Sequence, residues 1–184
     1  MNTTTLTTQN ELLLSNLLRY YETGDNMTRM LSIINGEADT SLRIIDWFVT
    51  NYSKNNHTIY QLSNRRRFKV YNDYKLKLKS YSKRRFDPFC RWDRITIPYE
   101  DGLNIQTTIG QLNFFKWAFE NEIVEYIEKF RVEIESDMNT RNSTAKRKQG
   151  GGDVKKTRKR RTELSVSASK AVYKDNVEIT VSFD

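Results

Sequence analysis

Hydrophobic residues recur every three or four positions along residues 107–138, the longest uninterrupted periodic stretch in the chain. That spacing places them on one face of a helix, and they are Ile109, Leu112, Phe115, Phe119, Ile123, Ile127, Phe130 and Ile134. Thr108 and Gln111 match the capping box that satisfies free amides at a helix start. We therefore predict one long helix over about 108–138 as the centre of the core, with a length that allows a bend near Asn121.

Shorter patterns predict further elements before this helix. Residues 11–22 and 40–54 carry helical apolar stripes, and residues 94–98 and 103–107 alternate around an Asp-Gly pair that is typical of a β-hairpin. Residues 71–82 fit a helix through a stripe of tyrosines, or a strand through alternating lysine and leucine. We favour the helix because the tyrosine stripe extends beyond the alternating residues.

The chain divides into four regions by composition. Residues 1–8 are threonine-rich and predicted to be disordered, and residues 9–138 form the core domain. Residues 139–161 form a basic, flexible linker or arm that contains three consecutive glycines. Residues 162–184 alternate again and predict a C-terminal β-hairpin, which would need to pair with another sheet. The predicted fold class is α+β, with about three helices, one of them long, packed on a small, mostly antiparallel sheet.

Few residues offer chemistry for catalysis. Cys90 is the only cysteine and His57 the only histidine, so an internal disulfide and a cysteine-based zinc site are excluded. The chain carries no phosphate-binding loop, zinc motif, nucleophile elbow or kinase signature. It also contains no apolar run long enough to span a membrane and no secretory signal. We therefore expect a protein that is not an enzyme, has no metal or other cofactor and does not bind a membrane.

Charge is the strongest functional signal. The net charge of +8 is divided into blocks, with 12 basic and 3 acidic residues in 65–94, and 10 basic and 1 acidic in 141–161. Basic side chains neutralise phosphates, so we predict nucleic-acid binding without evident base specificity. The candidate binding residues are Arg65, Arg66, Arg67, Lys75, Lys79, Lys83, Arg84, Arg85, Lys155, Lys156, Arg158, Lys159, Arg160 and Arg161.

Aromatic residues interleave with the first basic block, and they admit two interpretations. Exposed rings can stack on unpaired bases, whereas buried rings would belong to the core. The residues concerned are Tyr71, Tyr74, Tyr81, Phe86 and Trp92.

Two other functions remain open from the sequence. The chain could be a structural or assembly protein, such as a minor virion component, that binds acidic protein surfaces through its basic arm and forms oligomers through its C-terminal strands. Alternatively, the arm could fold back onto the acidic face of the long helix, where residues 120–137 carry seven acidic side chains against two basic ones.

Four peptides carry a resemblance to a known group of proteins. They are residues 45–52 (IDWFVTNY), 86–91 (FDPFCR), 110–117 (GQLNFFKW) and 163–167 (ELSVS). These stretches resemble uncharacterised proteins of nucleocytoplasmic large DNA viruses, the giant viruses. The resemblance implies a viral gene product in the cytoplasm or nucleus of an infected cell, or in the virion, and it implies no site residues.

Overall fold

The computed structural model describes residues 8–99 and 103–148, and these residues form an α+β structure, as predicted. The helices are α1 (Gln9–Tyr21), α2 (Asn26–Asn35), α3 (Leu42–Trp47), α4 (Ser53–Asn55), α5 (Val70–Arg85), α6 (Ile109–Glu120), α7 (Ile123–Lys129) and α8 (Arg131–Lys148). A π-helical turn, Phe48–Tyr52, joins α3 to α4. The strands form two antiparallel pairs, β1 (Ile59–Gln61) with β2 (Arg67–Lys69) and β3 (Ile95–Pro98) with β4 (Asn104–Thr107).

The prediction of about three helices is wrong. Residues 26–35 are helical, residues 70–85 are helical with a kink at Ser82, and the predicted long helix is divided into α6, α7 and α8. The helical interpretation of residues 71–82 is confirmed, as is the hairpin of β3 and β4. Helix α8 also runs to Lys148, past the predicted end of the long helix at 138, so the first part of the predicted linker is helical.

The division between α6 and α7 has a tertiary cause. Glu122 lies in the left-handed region, with φ 54° and ψ 33°, which a continuous helix does not allow. The β1–β2 hairpin contacts this point: the Tyr60 hydroxyl donates to the Asn121 carbonyl at 2.6 Å, and the Ser63 amide donates to Glu122 Oε1 at 2.8 Å. The hairpin therefore satisfies the Asn121 carbonyl at the end of α6 and also holds the Glu122 side chain.

Helix α6 is the centre of the core and is buried on nearly all sides. It packs against α1, α2, α5 and α7. Leu112 and Phe115 are fully buried, as the periodic stripe predicts, but Phe114, Trp117 and Ala118 on other faces are also buried. The single apolar face predicted for this segment therefore understates its burial.

The turn after α5 packs against the first turn of α6 through a close contact between the two backbones. The Asp87 amide donates to the Gly110 carbonyl at 3.1 Å, and a Cβ on Gly110 would lie 2.9 Å from the carbonyl oxygen of Arg84. Phe86 is buried beside this contact, with its ring centroid 5.4 Å from that of Trp117. The FDPF turn thus anchors the end of α5 to the first turn of α6.

Several predictions lie outside the described residues. They concern residues 1–7 of the predicted disordered N-terminus, residues 149–161 of the arm and the C-terminal hairpin at 162–184. Within the described ranges, no helix combines the length and the apolar character that crossing a membrane requires.

Candidate functional site

Two adjoining recesses lie beside the start of α5 and are bordered by lysines. The first, about 190 Å³, is lined by Lys54 of α4 and Lys69 of β2. The second, about 660 Å³, is a shallow recess along α5 that is lined by Lys75 and Lys79. Both recesses share the side chains of Tyr71 and Asn72, so these four lysines border one continuous surface, which we call the lysine surface.

Local structure explains why these lysines face solvent together. In β2 the alternation of a strand buries Phe68 and exposes Arg67 and Lys69. Strand β2 then runs directly into α5, where Lys75 and Lys79 are four residues apart and therefore share one helix face. All four residues of the lysine surface are exposed.

The lysine surface has no carboxylate to neutralise it. No acidic residue lines either recess, and none of its four lysines forms an ion pair with another described residue. Other cations do have carboxylate partners, such as Arg29 with Glu125 at 2.6 Å. The surface therefore presents a positive potential that is available to an anionic partner.

Three of the predicted binding residues lie on or beside this surface. Lys75 and Lys79 belong to it, and Arg67 is exposed on β2 on the same side of the strand as Lys69. Arg65 is exposed in the turn of the β1–β2 hairpin, in the left-handed region with φ 64°, and Lys83 is exposed near the end of α5.

The other predicted residues in the described ranges are engaged within the protein. Arg66 Nη2 donates to Asn121 Oδ1 at 2.8 Å, and Arg85 Nη1 donates to Gln9 Oε1 at 2.9 Å. Arg84 forms an ion pair with Asp93 at 3.0 Å. The candidates from Lys155 to Arg161 lie outside the described residues.

Sequence reasoning missed Lys54 and Lys69 as members of the surface. Lys69 lies within the first basic block and could have been included by its position next to Arg67. Lys54 belongs to a region whose net charge is negative, and only the packing of α4 against α5 brings it to the lysine surface. Its ammonium nitrogen lies 5.8 Å from the centroid of the Tyr71 ring.

The interleaved aromatics divide between the two interpretations. Tyr74 and Tyr81 pack against the core, and Phe86 is fully buried. Tyr71 is half-exposed on the lysine surface, and Trp92 is 41% exposed. Of this set, Tyr71 lies on the lysine surface and Trp92 is the most exposed, whereas Tyr74, Tyr81 and Phe86 contribute to the core.

Neither His57 nor Cys90 belongs to a cluster of candidate metal ligands among the described residues. His57 is exposed and lines the first recess, and Cys90 is half-buried, where burial raises the pKa of its thiol. Over residues 8–99 and 103–148, no three His, Cys, Asp or Glu side chains converge as metal ligands would.

Comparison with known proteins supports the resemblance noted in the sequence. The profile of DUF7197, a family of unknown function, matches residues 2–184. The chain is 40% identical over 163 residues to "Uncharacterized protein L507" of Acanthamoeba polyphaga mimivirus, in an alignment that covers 84% of the chain and 57% of that protein. The chain therefore spans little more than half the length of this relative. No solved structure matches the chain.

Proposed function

We propose that this chain, which belongs to the DUF7197 family of unknown function, binds nucleic acid by placing phosphate groups on the lysine surface. The observation that carries the proposal is the set of four exposed lysines, without an acidic neighbour in either recess and without an ion pair among the described residues. A phosphate backbone is the polyanion that such a surface fits.

The four lysines can contact phosphate without first losing a carboxylate partner. A cation that is already paired must lose its carboxylate before it can contact a phosphate, whereas Lys54, Lys69, Lys75 and Lys79 lose only water and counterions. Release of the counterions condensed on the nucleic acid then provides most of the driving force. Neighbouring side chains four residues apart on a helix have Cβ atoms about 5–6 Å apart, so Lys75 and Lys79 can meet the same strand.

The proposed binding does not read the base sequence. Lysine is a flexible point charge that suits phosphate contact, and phosphate contacts position a protein without specifying sequence. Tyr71, half-exposed between the two recesses, adds a ring on which an unpaired base can stack.

A salt series tests the proposal. We would measure the binding of the chain to a labelled DNA duplex, and to single-stranded DNA and RNA, between about 50 and 200 mM salt. Four phosphate contacts on a duplex give a slope of log K against log salt of about −3.6, so the affinity falls by about two decades over this range. Changing the four lysines to glutamine should reduce the slope by about one for each lysine.

The matched control removes the same amount of charge elsewhere. Arg19, Arg43, Arg94 and Lys129 are exposed and line neither recess, so their replacement by glutamine should leave most of the slope in place. Equal loss of affinity in both quadruple variants would contradict the proposal, because binding would then depend on net charge alone. Binding to an acidic protein or polyglutamate, with none to nucleic acid at low salt, would favour an assembly role.

A further inference from the structure

A third recess lies on a different side of α5 and shares no lining residue with the lysine surface. It has a volume of about 610 Å³ and is bordered by α1, α5, α6 and the turn of the β1–β2 hairpin. Asp73, Lys77 and Tyr81 reach it because they repeat every four residues along one face of α5. Its volume falls within the range of about 300–1,000 Å³ that is usual for small-molecule sites.

The lining of this polar pocket is rich in groups that can donate and accept hydrogen bonds. Four of its side chains are asparagine amides, two are carboxylates and three are cations. They are Asn16, Asn64, Asn113, Asn121, Asp73, Glu120, Arg66, Lys77 and Lys116. An apolar ligand would leave these groups without partners, so the pocket fits a polar molecule.

One ion pair neutralises part of this charge, and a hydrogen bond occupies the Asp73 carboxylate, which stays charged. Lys116 forms an ion pair with Glu120 within the same helix, and the Asp73 carboxylate accepts the indole N–H of Trp117 at 2.6 Å. Arg66 uses only its Nη2 atom, toward Asn121. The Lys77 ammonium has no hydrogen-bond partner and no ion pair among the described residues. The cationic groups that remain available to a ligand are therefore Lys77 and the free N–H groups of Arg66.

Three asparagine side chains that line the same pocket have hydrogen-bonding groups without a partner among the described residues. The Asn16 side chain makes no hydrogen bond with another described residue. Asn64 uses its oxygen to accept the Arg66 amide, which leaves its NH₂ group, and Asn113 uses its NH₂ group to donate to the Arg85 carbonyl, which leaves its oxygen. Such donor and acceptor pairs match the hydrogen-bonding edge of a nucleobase.

We propose that the polar pocket binds a nucleoside monophosphate, with the phosphate on Lys77 and Arg66 and the base edge on the asparagine amides. The inference does not depend on the lysine surface, because the two sites have separate lining residues. A free nucleotide and the phosphorylated end of a strand present the same chemistry, and both are sources that the pocket admits.

Isothermal titration of the full chain with AMP, GMP, CMP and UMP tests this proposal, with inorganic phosphate and adenosine as partial ligands. At least one nucleotide should bind, and about tenfold or more tightly than either partial ligand. Lys77→Gln should lower the affinity for that nucleotide by about tenfold or more, because it removes a charge-assisted hydrogen bond. Asn16→Ala, at an exposed position, should also weaken it, while circular dichroism confirms that both variants are folded.

The matched control is Lys79→Gln, two residues along the same helix and on the lysine surface. Lys79→Gln should change nucleotide affinity by no more than about twofold and should weaken nucleic-acid binding. Lys77→Gln should weaken nucleotide binding and leave nucleic-acid binding nearly unchanged. Competition by a 5′-phosphorylated oligonucleotide would identify a strand end as a ligand, and its absence would identify the free nucleotide. Failure of every nucleotide to bind at millimolar concentration, phosphate binding as tightly as the nucleotides, or an unchanged affinity in Lys77→Gln would overturn the proposal.

Discussion

Gly110 is the residue at which two parts of the core come closest. It lies in the first turn of α6, where the backbone of residues 84–87 passes directly over it. A methyl group at this position would meet the Arg84 carbonyl oxygen at 2.9 Å and the amide nitrogens of Phe86 and Asp87 at 3.3 Å. Backbone atoms cannot rotate aside as a side chain can, so this position excludes a Cβ.

Gly110→Ala should therefore destabilise the protein by about 1–3 kcal/mol, as overpacking does. Helix propensity alone would predict the opposite sign, a gain of about 1 kcal/mol. Urea unfolding of both proteins measures the difference. Gly24→Asn is the control, because Gly24 has φ +64° and open space around it, and asparagine tolerates that conformation. A stabilised Gly110→Ala variant would show that the segments do not approach as described.

The α6–α7 junction is the element that most distinguishes this fold from its predicted form. The apolar period predicts one long helix whose length allows a bend near Asn121, and the break does fall there, although no proline or glycine stands at that point. The β1–β2 hairpin, some 60 residues earlier, contacts the chain at Asn121 and Glu122. The break is therefore a property of tertiary packing rather than of helix propensity.

Two substitutions at Glu122 test this break, because a helix break and a continuous helix predict opposite orders of stability for the two variants. Glu122→Gly and Glu122→Ala both lose the hydrogen bond from the Ser63 amide. If residue 122 is left-handed, the glycine variant should be more stable than the alanine variant by about 1 kcal/mol or more. In an uninterrupted helix the alanine variant would instead be more stable than the glycine variant by about 1 kcal/mol. Chemical denaturation of the pair decides between the two geometries.

Elements with strong local signals were predictable. The amphipathic stripe of α1 predicted a helix correctly, and the alternation on either side of the Asp-Gly pair in the sequence predicted the pairing of β3 with β4. Thr108 caps α6 as expected, by accepting the Gln111 amide at 3.0 Å, although the Gln111 side chain donates to the Pro88 carbonyl and does not complete the capping box. These features depend on residues close in the chain.

The candidate sites were less predictable because they depend on distant packing. Lys75 and Lys79 were identified from the basic block, but the contribution of Lys54 requires α4 to lie against α5. The same block also contains Arg84, whose ion pair with Asp93 a charge count does not anticipate. Charge density in the sequence thus predicted the region of the lysine surface, and packing determined its members.

At the scale of the whole molecule, the core holds several tyrosines whose hydroxyl groups are shielded from water. Burial, followed by the nearby Glu120 carboxylate, raises the pKa of Tyr20 to about 12, and burial followed by Asp46 raises the pKa of Tyr74 to about 12. Burial also raises the pKa of Tyr21 and Tyr60. In each case the folded protein favours the neutral phenol.

These shifts predict that stability falls in alkaline solution. The unfolded tyrosines lose protons near pH 10, while the folded ones hold theirs to about pH 12. Stability is therefore complete below about pH 10 and decreases as the pH rises toward about 12, because the unfolded state then binds fewer protons. Urea unfolding at increasing pH measures the decrease.

Removing one shielded phenol should reduce this pH dependence. Tyr60→Phe deletes a hydroxyl that donates to the Asn121 carbonyl at the α6–α7 junction, so the variant should be less stable at neutral pH but lose stability more slowly above pH 10. Tyr99→Phe, outside that junction, controls for the general loss of a phenol. An identical alkaline slope in wild type and Tyr60→Phe would contradict the assignment.

The exposed position of the four lysines has a consequence for how the family can diverge. Because they make no ion pair among the described residues and lie outside the core, the fold constrains them little, and selection acts on them mainly through whatever they bind. Mutational drift at these positions would leave the fold intact, whereas drift at Gly110 would not. A family member that retains the glycine but has lost the lysines should then be a folded protein with weaker affinity for phosphate backbones.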